Sequence, residues 1–262
     1  MSMKKERKSK AAIAVCVALL SAHVFAEESL TESLVSGKFM ANERLRYESV
    51  EDDAFAEDAE ALTLRSRVGY ETAPYYDVTA LVEYENVTTL GGYDEFQDPA
   101  PPVPSALGYA VIADEEHSEF NRAQLKYRGI SKLNLILGRQ YITYDNQRWI
   151  GNVGFRQDDQ TFDAFTAEYK GIDDVVMSYA YVIGVNGIAP EFDNKVSDHF
   201  YNISYNGWSL GKFTGYYYDL HSQNDSIRGP ASNIDVNPGL RYVSNQTTGL
   251  RFDGGYNLPT TF

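Results

Sequence analysis

Between residues 38 and 252, short stretches of alternating polar and apolar residues recur, and the gaps between them are by turns short and long. Each stretch covers roughly 8–12 residues, and a period of two argues for strands rather than helices. From Lys38 to Tyr47 one face reads Phe39, Ala41, Leu45, Tyr47, with Glu43 discordant; the other reads Lys38, Met40, Asn42, Arg44, Arg46. Leu62, Leu64, Val68 and Tyr70 oppose Thr63, Arg65, Arg67, Gly69 and Glu71. Val78, Ala80, Val82 and Tyr84 oppose Thr79, Leu81, Glu83 and Glu85. Ala123, Leu125 and Tyr127 oppose Arg122, Gln124, Lys126 and Arg128. Weaker strands carry Leu133/Leu135/Leu137, Phe165/Ala167/Tyr169, Val175/Met177/Tyr179/Tyr181, Tyr201/Ile203/Tyr205, Tyr216/Tyr218/Leu220 and Leu250/Phe252, each group predicted to share an apolar face.

The gaps sort these ten strands into a meander. The short ones are Thr72–Tyr76, Gly129–Lys132, Gly171–Asp173 and Asn206–Trp208, each holding Gly, Pro or Asn where a tight turn needs them. The long ones fall at roughly 51–60, 87–119, 141–160, 186–198 and 221–246. A transmembrane barrel keeps short turns on the periplasmic side and long loops outside, whereas a soluble sandwich has no reason to sort its loops by parity. The polar faces are rich in long charged residues, which suits a wet lumen better than a solvated outer wall. Several apolar faces end in tyrosine (Tyr47, Tyr70, Tyr84, Tyr127, Tyr169, Tyr205), as an aromatic girdle would. The predicted fold is therefore all-β: a transmembrane, antiparallel, up-and-down β-barrel in the bacterial outer membrane, in contact with its lipid and lipopolysaccharide.

The first 26 residues read as a signal peptide. Lys4, Lys5, Arg7, Lys8 and Lys10 precede the apolar run Ala11–Leu20, and Val24-Phe25-Ala26 ends in a small-residue cleavage site. That run is shorter than the ~20 residues of a spanning helix. Cys16, the only cysteine, lies within it and has the bulky Val15 in front, which disfavours lipidation; the rest of the chain can make no disulfide. The full chain carries a formal −14 and the leader contributes a net +4, so residues 27–262 carry −18. Such a charge argues against nucleic acid as a partner. The acid clusters Glu51–Asp53, Glu57/Asp58/Glu60, Asp114–Glu116 and Asp158/Asp159 lie between strands and read as solvated loop tips.

Ser36–Tyr47 (SGKFMANERLRY), Leu62–Glu71 (LTLRSRVGYE) and Leu137–Ala164 (LGRQYITYDNQRWIGNVGFRQDDQTFDA) together resemble the alginate-export family of outer-membrane porins. Tyr181–Gly187 and Thr248–Phe252 continue the likeness, which covers most of residues 27–262. It implies a wide barrel, of about eighteen strands, with arginines in the lumen that select anions and an external loop folded toward the pore. The positions matching the family pattern are Arg65 and Arg67, Arg139 in Gly-Arg-Gln, and Arg148, Asn152 and Arg156 in the loop that follows. Ten strands fall short of that width, and Pro259 would spoil a closing strand. Residues 27–262 are therefore expected to be an N-terminal portion of a larger barrel.

Lumen parity and resemblance together nominate Arg44, Arg46, Arg65, Arg67, Glu83, Glu85, Arg122, Lys126, Arg139, Arg148, Arg156 and Glu168 as pore-lining or selectivity residues for an anionic solute or polysaccharide. The same charges could instead form ion-paired ladders that fill the barrel. Arg139 is the awkward member: alternation from Leu133 points it at lipid, so it should sit near the rim or be turned inward by a bulge. Two other functions compete with a channel for passive passage of anionic solutes, alginate export being the case the resemblance implies. A non-conducting surface barrel would work through its acidic loops. An outer-membrane hydrolase would need a histidine dyad, and His117 beside Glu116 or His199 beside Asp198 are the candidates. Adjacent residues on a strand face opposite sides, however, and no histidine has metal-ligand spacing. The sequence therefore nominates no catalytic residue, metal or cofactor.

Overall fold

The computed structural model describes residues 29–96, 108–189, 193–221 and 244–255. The signal-peptide reading, Cys16 and Pro259 lie outside them. A short helix α1 (Leu30–Val35) leads into β1 (Lys38–Val50), β2 (Ala59–Glu71), β3 (Val78–Glu95), β4 (His117–Tyr127), β5 (Leu133–Gln140), β6 (Thr161–Ile172), β7 (Val175–Asn186), β8 (Asn194–Trp208), β9 (Gly211–Leu220) and β10 (Asn245–Gly254). All ten strands form one antiparallel sheet in chain order, β1 to β10. The predicted meander is what forms.

Several boundaries differ from the sequence reading. β3 continues to Glu95 because its ladder with β2 persists through Asn86–Thr89, where polar residues hide the alternation. β4 begins at His117, which was read as a loop residue. β8 runs to Trp208, so its turn is Ser209–Leu210 rather than Asn206–Trp208; the Trp208 and Phe213 rings stack at 5.2 Å across it.

The two faces are distinct. Leu62, Leu64, Val68 and Tyr70 point outward on β2, while Ala61, Thr63, Arg65, Arg67 and Gly69 are buried on the inside. Phe39, Leu45 and Tyr47 on β1, Val82 and Tyr84 on β3, Leu125 on β4, Leu137 on β5 and Tyr201, Ile203 and Tyr205 on β8 are exposed large hydrophobics on that outer wall. An exposed apolar wall around a charged interior is the inverse of a soluble barrel and the arrangement lipid demands.

β9 departs from the expectation. Tyr218 is buried inside with Tyr216 and Leu220 packed beside it, and Tyr217 takes the outer wall. Tyr216-Tyr217-Tyr218 is aromatic on both faces, so period two gave no direction there. The inner surface of β6–β9 carries an apolar patch among polar residues such as Asp198 and Thr214: Phe162, Ala164, Ala180, Val182, Val196, Phe200 and Tyr218 enclose Ile142 and Ile150 of the segment 141–160. That long connection does not stand outside the barrel but folds into it.

At the short-turn end a local motif repeats. In Tyr127-Arg128-Gly129, Tyr169-Lys170-Gly171 and Tyr205-Asn206-Gly207, each tyrosine lays its ring and hydroxyl over the glycine two residues on. Residues i and i+2 share a face, and any Cβ on these glycines would meet the ring. Gly171→Ala is expected to cost about 1–3 kcal/mol by overpacking, and much less in a Tyr169→Ala background. Urea unfolding in detergent micelles reads both, and equal costs in the two backgrounds would dismiss the ring contact. Nearby, Tyr70 OH donates to Leu34 O (2.6 Å) and accepts from Gly37 N (2.8 Å), tying α1 to the foot of β2.

Candidate functional site

The inner faces of β1–β4 carry alternating long charges because period two repeats on each strand, and the antiparallel register stacks them in rows. Arg44 lies directly opposite Arg65, Asn42 opposite Arg67, Arg67 opposite Glu85 and Glu83 opposite Arg122. A bulge at Glu83/Tyr84 lets both Asn121 and Arg122 of β4 face inward.

The tip of the segment 141–160 lies across these rows. Gln157, fully buried, donates from its backbone to Asp114 Oδ1 (2.7 Å) and from Nε2 to Thr63 Oγ1 (2.8 Å) and Thr63 O (3.1 Å). Arg65 donates to Gln157 O (3.1 Å) and Asn42 Oδ1 (2.7 Å). Arg67 is clamped between Glu85, which accepts from its Nε, and Asp159, which accepts from Nη1 at 2.7 Å. Arg44 donates to Gly154 O (3.1 Å) and to Phe155 O, which Arg46 also reaches. The Arg46 guanidinium stands 4.1 Å over the Phe155 ring and pairs with Glu48 (2.5 Å) and Asp114 (3.2 Å). Arg156 reaches Glu48 at 3.1 Å. Arg122 holds Glu83 with two bonds, 2.9 and 2.6 Å, and lies 5.0 Å over Tyr141. Among the described residues, Arg44 and Arg65 have no carboxylate within salt-bridge distance.

The structure thus gathers Arg44, Arg46, Arg65, Arg67, Glu83, Glu85, Arg122 and Arg156 around the inward segment. The other four nominated residues lie apart. Lys126 pairs with Glu71 at 2.9 Å toward the short-turn end, and Glu168 with Lys170 at 2.7 Å. Arg148 is exposed beside Trp149. Arg139 is the penultimate residue of β5, near the rim, and links Asp163 (3.0 Å), Glu119 (3.2 Å) and Asn186 (2.7 Å). Its neighbours explain the block: Gly138 has φ +116 and sits against the Ala123 carbonyl, and buried Gln140 donates to Ala164 O (3.0 Å). Gly-Arg-Gln is where the wall releases the chain into the lumen.

The reading of Asp114, Asp158 and Asp159 as solvated loop tips is corrected: all three are buried. Asp114 and Asp159 are counter-ions that an arginine-lined interior requires, paired with Arg46 and Arg67, since an unpaired buried charge is costly; Asp158 faces His117 instead. Burial pushes the Asp158 carboxyl up to about 8 and raises that of Asp114. For Asp158 and Asp159, their place two and three residues after Arg156 was the available signal. The clusters Glu51–Asp53 and Glu57/Asp58 are exposed, as expected.

Residues 36–260 match the sequence profile of the family described as Alginate export. The chain belongs to that family. A search of curated protein sequences returns no match. Among solved structures, Acinetobacter baumannii OccAB1 superposes on this alginate-export family chain with a TM-score of 0.50 at 13% identity, over 75% of this chain and 48% of its own. Pseudomonas aeruginosa OccK9 (OpdG) gives 0.49 at 13% identity, over 72% and 55%. The likeness to OccAB1 shows a shared fold, and the chain spans about half the length of that structure.

Proposed function

We propose that this alginate-export family protein is an outer-membrane channel passing anionic solutes, polyuronates such as alginate among them, through an eyelet between the inward segment 141–160 and the arginine rows of β1–β4. The observation that carries the reading is the Arg44–Arg65 pair. Two like charges directly opposite on neighbouring strands destabilise a sheet, yet here they stand without carboxylate partners among the described residues. Family membership and the charged interior behind an apolar wall support the same reading. Around the pair, Glu83, Glu85, Asp114 and Asp159 neutralise the neighbouring arginines, so an anion would meet a local positive surface without being held too tightly.

A unit charge about 8 Å from a permeating ion in water is worth about 0.5 kcal/mol. Neutralising both arginines, Arg44→Gln with Arg65→Gln, is therefore expected to lower anion preference about fivefold, read as reversal potential in planar bilayers under a salt gradient. Stepwise conductance with an unchanged reversal potential would remove the pair from the selectivity site, and a sealed bilayer would favour a non-conducting surface barrel.

A further inference from the structure

Beside the arginine clamp, Glu85 of β3, His117 at the start of β4 and Asp158 of the inward segment bring one ligand atom each within 4.8 Å of one another. His117 Nε2 stands 3.4 Å from Glu85 Oε1 and 3.5 Å from Asp158 Oδ2. These separations are long for hydrogen bonds, and neither Nε2 nor Glu85 Oε1 has a hydrogen-bond partner among the described residues. Ligands about 2.0–2.1 Å from a tetrahedral ion stand about 3.3–3.4 Å apart, which is the spacing found. Glu85 is fully buried, and Asp158 is 4% exposed with its Oδ1 also unpartnered.

The surroundings are those of metal ligands. His117 Nδ1 lies 3.1 Å from Glu115 O, so it donates there and leaves the Nε2 lone pair facing the two carboxylates. Glu85 Oε2 is fixed by Arg67 and by Asn121 Nδ2 at 3.4 Å, which aims Oε1 into the trio. Two carboxylates facing one another in a buried place stay ionised together only with a cation between them; otherwise one takes up a proton. We infer that Glu85, His117 and Asp158 bind a first-row divalent metal ion of the zinc type, with a fourth position open to water, and that this ion fastens the inward segment to the barrel wall. An imidazole ligand favours such an ion over calcium or magnesium. Sequence spacing hid the trio, because its members come from two strands and a distant loop.

The test uses the full chain in detergent micelles, with Zn²⁺ alone as probe and bound metal counted after dialysis. One equivalent is expected in the wild type and in Glu51→Gln, a change at an exposed loop acid, and less than a tenth of that in His117→Gln and Asp158→Asn that keep the folded gel mobility. Should either variant fail to fold, Co²⁺ titration of the wild type decides. Intense tetrahedral visible bands support the site; weak or absent bands overturn it. A wild type that holds no stoichiometric zinc, or a His117→Gln variant that holds it undiminished, would leave a protonated imidazole between two carboxylates as the cation instead.

Discussion

Arg67→Met is expected to destabilise the barrel by about 3–5 kcal/mol, the typical result of removing one member of a buried ion pair. The loss follows from what stays behind. Glu85 and Asp159 would remain buried without the guanidinium that separates them, and Gln157 O would lose its 3.4 Å contact. Methionine restores most of the side-chain volume, so a cavity contributes little and electrostatics dominate. Urea unfolding in micelles reads the stability. Single-channel recording reads a second consequence: with its latch gone, the tip around Gly154–Asp159 should leave the lumen, giving larger and noisier openings. The double variant Arg67→Met/Asp159→Asn should recover part of the loss, because one orphaned charge is removed with its partner. A double variant as damaged as the single one would show that Arg67 acts by packing rather than by charge.

Gly138→Ala is expected to cost about 3 kcal/mol or more, and to be the most damaging glycine change in the wall. At φ +116 an L side chain is strained by about 1–3 kcal/mol. Its Cβ would also strike the Ala123 carbonyl and stand 3.1 Å from Gln124 Cα. These obstacles are backbone atoms of the neighbouring strand, so relief requires β4 and β5 to part. Gly92 offers the control: its φ is +74, but nothing lies within 4 Å of its added Cβ, so Gly92→Ala should lose only the conformational part. The comparison is read as the folded fraction recovered in micelles and its urea midpoint. Equal losses at the two positions would show that the approach of β5 to β4 is looser than described.

How far the sequence revealed this follows from what each segment had to hide. On β1–β4 arginine and glutamate mark one face and leucine or valine the other, so the inward and outward faces were legible, whereas the bulge that turns Asn121 inward beside Arg122 was not. On β9 three consecutive tyrosines erased the contrast, and Tyr218 turned inward unannounced. The segment 141–160 was expected to fold toward the pore from its likeness to a family, not from its periodicity. Its anchoring by Gln157 and Asp159 depends on contacts 92 to 94 residues away in the chain. Arg139 was placed near a rim by alternation alone, but its three partners come from β4, β6 and β7 and could not be named in advance. Acid clusters were read as solvent-facing because local composition cannot distinguish Asp52, in water, from Asp114, beneath two arginines.

The tyrosines folded over glycines at the short turns have a bearing on how this wall can change. Strand length varies from 8 residues in β5 to 18 in β3, yet the lower ends of β4, β6 and β8 finish alike, each with a phenol ring laid toward the turn. Phenols of this kind settle at the headgroup level. They set a waterline on the inner leaflet side that is independent of everything above it, so the outer mouth can be lengthened, trimmed or rebuilt without altering how deep the barrel floats.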